Sequence, residues 1–483
     1  MSAIRASRPY RAGTGVSLLS RFIVLVVFVV FLLAIERVSG PHLYWLCVLL
    51  VLQFTWSLWS WRRAAGSLFD PYGIFLIAAA LFNGGKAILE VLHLNEYGIE
   101  TFMSNDGYRI FSFSPDTIYR SLLLVLLGLG AFHLGALWAA SRDAGEADGL
   151  SSVTSASTAR RTGWVLLMIS VMPMATVILS RLAVVSSSGY FGLFQQQAET
   201  GLANLPQALA NLMVPGVLFL LSGSKGKRHL LVLSVLVILV YSVIQAFTGT
   251  RLWWAMPVVA FVWLWHCQVA PIPRVFLGIA AAGILFVVFP TLAVVRNIPG
   301  VERLALDFFV ESYLSIRNPV VGIISEMGGT LLTIAHTLEL IPMVRDFDWG
   351  LGYLYSVLTV FPNLFWEIHP TVARGLYSHW LTHVVNPAVF YAGGGYGFSF
   401  IAEAYANFGW VGTPLLLGLV GFLYARFVLW GLRSRDPARS ATVAAFLAYF
   451  LIYARGESAL VVRSLIWYVL FPYLLTRLFL RSR

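Results

Sequence analysis

The stretch "RHLLVLSVLVILVYSVIQAFTGTRLWWAMPVVAFVWLWHCQVA", residues 228–270, decides the fold. Two apolar runs lie on either side of the short polar sequence Thr248-Gly249-Thr250-Arg251. An α-helix needs about 20 predominantly apolar residues to cross a bilayer. Each run is close to that length, so the stretch predicts two membrane-spanning helices joined by a tight turn.

Runs of the same kind extend outward in both directions. Spans are predicted at 18–36, 42–60, 71–92, 117–140, 162–181, 206–222, 229–248, 252–269, 274–295, 398–431, 440–454 and 459–480. The composition agrees: of 483 residues, 59% are hydrophobic and 11% charged. A soluble chain carries about 25% charged residues. The expected fold is an all-α polytopic membrane protein of about twelve transmembrane helices, with no soluble domain of ordinary size left over. It divides into spans over 1–295, a long loop over 296–397 and further spans over 398–483. The first run follows Arg5, Arg8, Arg11 and Arg21 without a small-residue cleavage site, so it reads as a retained helix. Cys47 and Cys267 both fall inside predicted spans and offer neither a disulfide framework nor metal spacing.

Charge sorts the loops. Arg62 and Arg63, Arg160 and Arg161, Lys225/Lys227/Arg228, Arg433/Arg435/Arg439 and Arg477/Arg481/Arg483 share one side with the N-terminal arginines. The loop 93–116 holds Glu96, Glu100, Asp106 and Asp116 against Arg109 and lies on the other side. The positive-inside rule puts both termini and the basic loops in the cytoplasm. The net charge of +11 is then explained without a nucleic-acid partner. Residues 141–161, "SRDAGEADGLSSVTSASTARR", read as a flexible cytoplasmic linker. The long segment 296–397 falls on the outer face, where "GGTLLTIAHTLELIP" and "LGYLYSVLTVFP" read as helices lying in or over the interface. A loop of this length with its own helices is usually functional.

This topology gathers arginines on the outer face: Arg251 in its turn, Arg296 at a helix end, Arg455 in "YARGESALVVRS", and Arg463 inside the last span. A guanidinium binds phosphate oxygens bidentately and stays charged. Together the four would suit a lipid pyrophosphate head group. Snorkelling of Arg296 and pairing of Arg455 with Glu457 explain those two equally well. An intramembrane charge such as Arg463 generally faces the bundle interior. The outer segment adds Glu326, His369 and the pair His379 and His383, which share a face if helical. Two histidines without a partnering acid fall short of a metal site. An imidazole there could instead deprotonate a sugar hydroxyl. The triplet Asp346-Phe347-Asp348 resembles the metal-holding pair of nucleotide-sugar transferases, but such nucleotides are cytoplasmic and this segment is expected outside.

The remaining polar residues enter with "GGGYGFSFIAEAYANFGWVG", residues 393–412. Ser399, Glu403 and Asn407 recur along one helix face, with Tyr396, Tyr405 and Trp410 nearby. Glu403 at the membrane boundary needs a cation, with the outer arginines as candidates, or a proton.

This stretch resembles the G-x-S-x-x-x-E-x-Y-x-N-F-G-x-x-G signature of the Wzy family of bacterial O-antigen polymerases. "GTR" at 249–251, "ISEMGGTLLTIAHTLELIP", "GLGYLYSVLTVFP" and "ARGESALVVR" extend the resemblance over about residues 245–470. The resemblance implies a C-type membrane glycosyltransferase of the bacterial inner membrane, working without metal or other cofactor at the periplasmic face. Its donor and acceptor would be undecaprenyl-diphosphate-linked oligosaccharides. It would move the growing glycan onto the incoming unit, with a chain-length regulator as an implied partner besides membrane lipids. Arg251 and Arg455, with Arg296 and Arg463, would hold diphosphate. Glu326, Tyr396, Ser399, Tyr405 and Asn407 would face the sugars, and Glu403, His379 or His383 would act as base. Relatives often carry Asp where this chain has Glu457. An O-antigen ligase, an exopolysaccharide or capsule polymerase, and a lipid-linked oligosaccharide flippase are the alternatives. A flippase would be expected to keep internal repeats, and none is evident.

Overall fold

The computed structural model describes residues 40–95, 98–99, 113–142, 156–190, 192–195, 204–295, 306–361, 366, 368–434 and 436–481. The expected first span at 18–36 and Arg296 lie outside the described residues. Every regular element among the described residues is helical.

The first group comprises α1 (Gly40–Ala65), α2 (Pro71–Val91) and α3 (Pro115–Arg142). Next come α4 (Ala156–Ser188), α5 (Met213–Ser222), α6 (Arg228–Phe247), α7 (Arg251–Gln268) and α8 (Arg274–Gly283), whose helical path continues to Val295. α4 begins at Ala156, inside the stretch expected to be a linker. Eleven helices among the described residues are long and apolar enough to cross a membrane, and all but one coincide with expected spans. α7 forms as expected but stands outside the eleven.

Local chemistry sets the helix starts. Asp70 caps α2 by accepting from Gly73 N at 2.9 Å, and Pro71 follows it where a missing N–H costs nothing. The same carboxylate accepts from Trp61 Nε1 at 2.9 Å, tying α1 to the start of α2. Helices in lipid gain little from hydrophobic burial and depend on close packing instead. Accordingly, α3 packs along α14 (Phe400–Leu432) with their backbones nearly touching. A β-carbon on Gly135 would fall 1.9 Å from the Gly418 oxygen, and one on Gly421 1.9 Å from the Phe132 oxygen. One apolar core joins α1, α2, α3 and α14. A second joins α4 to α7 with α15 (Pro437–Phe450).

Between α8 and α14 lie α9 (Pro319–Gly328), α10 (Thr330–Leu340), α11 (Leu351–Leu358), α12 (Pro370–Arg374) and α13 (Tyr377–Val385). Gly329 keeps a right-handed helical conformation, so α9 and α10 run on as the eleventh apolar stretch, Pro319–Leu340. Its contacts place it across one end of the bundle. α9 packs on Gly85 and Lys86 near the end of α2, and Glu339 of α10 accepts from Thr117 Oγ1, near the start of α3, at 3.1 Å. The middle and the C-terminal end of the stretch therefore meet the same end of the α2–α3 pair.

Candidate functional site

The first turns of α14 organise this end of the molecule. Residues 400–407 are all buried. Ser399 caps the helix, accepting from Ile401 N at 3.2 Å and donating to Asn83 Oδ1 of α2 at 2.7 Å. Asn83 Nδ2 donates in turn to the Ala454 carbonyl at 3.0 Å. One turn on, Glu403 has no exposed surface. One of its oxygens accepts from Ser458 N at 2.8 Å and Tyr453 OH at 3.4 Å, and the other from the Ser458 hydroxyl. Another turn on, Asn407 Oδ1 accepts from Gly352 N at 3.1 Å, while Nδ2 donates to Tyr377 OH at 3.1 Å and to the Glu403 carbonyl at 2.8 Å. The polar face thus ties α14 to four separate segments: α2, the 453–458 turn, α11 and α13. Glu403 was expected to meet an outer arginine or to hold a proton. Its partners are a backbone amide and two hydroxyls, which give each of its oxygens at least one donor.

α14 breaks at Gly409, where φ is 63° and ψ −161°. Glycine adopts that conformation readily, whereas a side chain makes it costly. The break frees two carbonyls that would otherwise accept from the following turn. Ala406 O accepts from Asp348 N and Asn407 O from Trp349 N, each at 3.0 Å. Phe408 packs beneath Gly350. The Asn-Phe-Gly element therefore seats "DFDWG" on the bundle end.

Asp348 is the hub of the seated segment. It accepts from Arg345 at 3.0 Å and pairs with Arg374 and the Tyr377 hydroxyl. Arg345 also lies 4.9 Å from the Tyr377 ring, and Arg374 lies 4.7 Å from that of Tyr355. Asp346 points outward and is exposed. Among the described residues no three His, Cys, Asp or Glu side chains converge as a metal-binding group. Glu457 was weighed as a partner for Arg455. Its carboxylate instead accepts from Tyr377 N at 2.8 Å and Ser378 N at 3.0 Å, the amides that open α13. Burial raises its carboxyl above the ordinary range, opposed by those two amides. Tyr355, Arg374, Tyr377 and Glu457 line a small cleft there.

The cations named from sequence come to this end in two places. Arg251 forms a bidentate pair with Glu326, one bond at 3.0 Å, and donates to the Phe289 carbonyl at 3.3 Å. Arg455 lies 5.4 Å from the Phe82 ring, and a β-carbon on Gly397 would fall 3.5 Å from its Nη2. These places connect through α2, because Gly328, two residues beyond Glu326, packs on Lys86, one turn from Phe82. Arg463 is half-buried just beyond the Glu457 turn.

His379 and His383 do share a face of α13, both against Phe390, at 6.1 and 5.2 Å between ring centres. Both reach solvent. Desolvation holds the His379 imidazole below its ordinary pKa. His369 is buried and caps α12, accepting from Thr371 N at 3.2 Å. Tyr396 N donates to Thr382 Oγ1 at 3.2 Å, and its hydroxyl accepts from Asn386 at 3.4 Å. Tyr405 is buried between Phe347 and Trp410.

Sequence reasoning passed over Arg345, Arg374 and Lys86. Arg345 directly precedes the triplet Asp346-Phe347-Asp348 and Arg374 lies between His369 and His379, and those acids and imidazoles carry the more familiar chemical signals. Lys86 is 3% exposed. As a single charge within an apolar run it carried the same signal as Arg463.

The fold and this site define a multi-pass helical membrane protein whose bundle end is roofed by its own short helices. The chain belongs to the family of the O-antigen polysaccharide polymerase Wzy, whose sequence model matches residues 18–482. Membership implies polymerisation of O-antigen repeat units by a glycosyltransferase-like activity on lipid-linked oligosaccharides. The chain matches no curated protein and no solved structure.

Proposed function

We propose that this chain polymerises undecaprenyl-diphosphate-linked repeat units into O-antigen at the periplasmic face, without a metal. The observation that carries the reading is that Arg251, through Glu326 and the contact of Gly328 with Lys86, and Arg455, beside Phe82, both come to the same part of α2, while Glu457 beside Arg455 holds the amides that open α13. In this reading Arg251 and Arg455, supported by Arg296 and Arg463, hold the donor diphosphate. Tyr396 and the seated segment approach the sugars.

The acceptor hydroxyl attacks the anomeric carbon while the bond from that carbon to the phosphate oxygen breaks. The bonding pair stays on the diphosphate, where guanidinium charge stabilises it. The hydroxyl proton passes to His379 or His383, the solvent-reaching imidazoles of α13. Glu403 has no exposed surface and acts in this reading as a positioning residue. It fixes Ser458, and with it the turn that carries Arg455 and Glu457.

The test is to express Arg251→Ala, Arg455→Ala, Glu403→Gln and His383→Ala in a deletion strain and run surface-glycan ladders. Deletion itself should leave one repeat unit attached, whereas loss of a ligase would leave none. Short or absent ladders are expected for the arginine and Glu403 variants. Full-length ladders from all three would overturn the site assignment.

A further inference from the structure

Arg251 and Glu326 meet in an unequal way. The arginine side chain is 10% exposed, while the glutamate side chain is 42% exposed. Arg251 is held from behind by the Phe289 carbonyl at 3.3 Å, with the Phe289 ring 5.8 Å from its guanidinium carbon. Both Glu326 oxygens come to the fork, one to Nη1 and one to Nη2. The guanidinium is thus a fixed seat, and the carboxylate reaches it from the solvent side. A phosphoryl group offers the same fork two oxygens in the same bidentate arrangement.

We infer that Glu326 is a stand-in for the substrate's phosphate oxygens: it occupies Arg251 in the empty protein and is displaced when the diphosphate arrives. This rests on the proposed diphosphate role of Arg251. It changes the role of Glu326 from a sugar contact to an internal competitor. Such a competitor lowers apparent affinity by the fraction of molecules whose seat is free. It also keeps a poorly solvated cation paired between turnovers, and so discourages capture of other anions.

Removing the carboxylate should therefore tighten binding, the opposite of what loss of a substrate contact would do. The experiment measures binding of inorganic pyrophosphate to the full chain in zwitterionic nanodiscs by calorimetry. Glu326→Gln and Glu326→Ala should each bind roughly five- to tenfold more tightly than the parent. Adding Arg251→Ala to either should abolish the binding, and thermal melts check that each variant is folded. Unchanged or weaker binding in both Glu326 variants, with Arg251 still required, overturns the stand-in and leaves the diphosphate reading intact. Binding that no longer depends on Arg251, or its absence throughout, overturns both. Nanodiscs containing phosphatidylglycerol separate a bilayer phosphate from a substrate diphosphate. If the anionic lipid alone abolishes pyrophosphate binding, the seat belongs to the bilayer and the proposal falls.

Discussion

Glu403 shows how a carboxyl group is accommodated in a fully buried position at the bundle end. Its oxygens are filled by Ser458 and Tyr453, residues 50 or more positions away in the chain. A glutamine could keep its oxygen toward the Ser458 amide and donate one N–H to the Ser458 hydroxyl, which leaves its second N–H without an acceptor, and a buried donor left unmatched costs about 1–3 kcal/mol. Glu403→Gln should lower the thermal midpoint of the purified protein and shorten its glycan ladders; an unchanged midpoint would count against the hydrogen-bond assignment. That need for partners was legible in the sequence, but their identity was not, because it depends on which turn lies over the helix. The same holds for Arg374 and Asp348, 26 positions apart, which meet only because α11 and α12 fold back on each other. His379 allows a kinetic test. Its pKa is lowered from an ordinary 6.5, so a base at this position stays unprotonated to a more acid pH. The acid limb of the polymerisation profile should have its midpoint below pH 6.5 and should move in His379→Ala; an unmoved limb would place the base elsewhere.

At the scale of the element, α14 is two helices in one. Its first turns are a buried polar clamp, and its remainder is a lipid-facing span packed on α3. Gly409→Ala would force a side chain into a conformation that costs of order 1–3 kcal/mol. The expected outcome is a lower melting midpoint together with faster hydrogen exchange at the Asp348 and Trp349 amides, which depend on the freed carbonyls. Apolar runs showed where most spans lie, since lipid demands little beyond length and hydropathy. They placed residues 328–342 in or over the interface but did not show that the apolar helical stretch begins at Pro319. Composition is the same for a helix that crosses lipid and one that lies against other helices. Gly85 makes the close contact possible: a β-carbon there would fall 2.8 Å from the Ile324 carbonyl, so α9 can settle closely on α2.

Across the whole molecule, the two ends of the bundle have different characters. Asp70 anchors the far end, buried against Trp61, and burial raises its pKa from 3.8 to about 6. The folded state therefore holds this proton more tightly than the unfolded one. Its contribution to stability is full below pH 3.8 and is lost as pH rises through about 6. Melting midpoints should rise as pH falls from 8 to 5, and Asp70→Asn should flatten that rise. A parent and variant with identical slopes would rule the assignment out.

The seat beneath Asp348 and Trp349 is made by main chain against main chain. It therefore constrains the path of the segment and is indifferent to the side chains at exposed positions such as 346 and 349. Substitutions at those exposed positions should therefore leave the segment's alignment with the clamp unchanged, provided Asp348 and its partners are kept. The bundle can thus keep its packing while the exposed surface above it is altered.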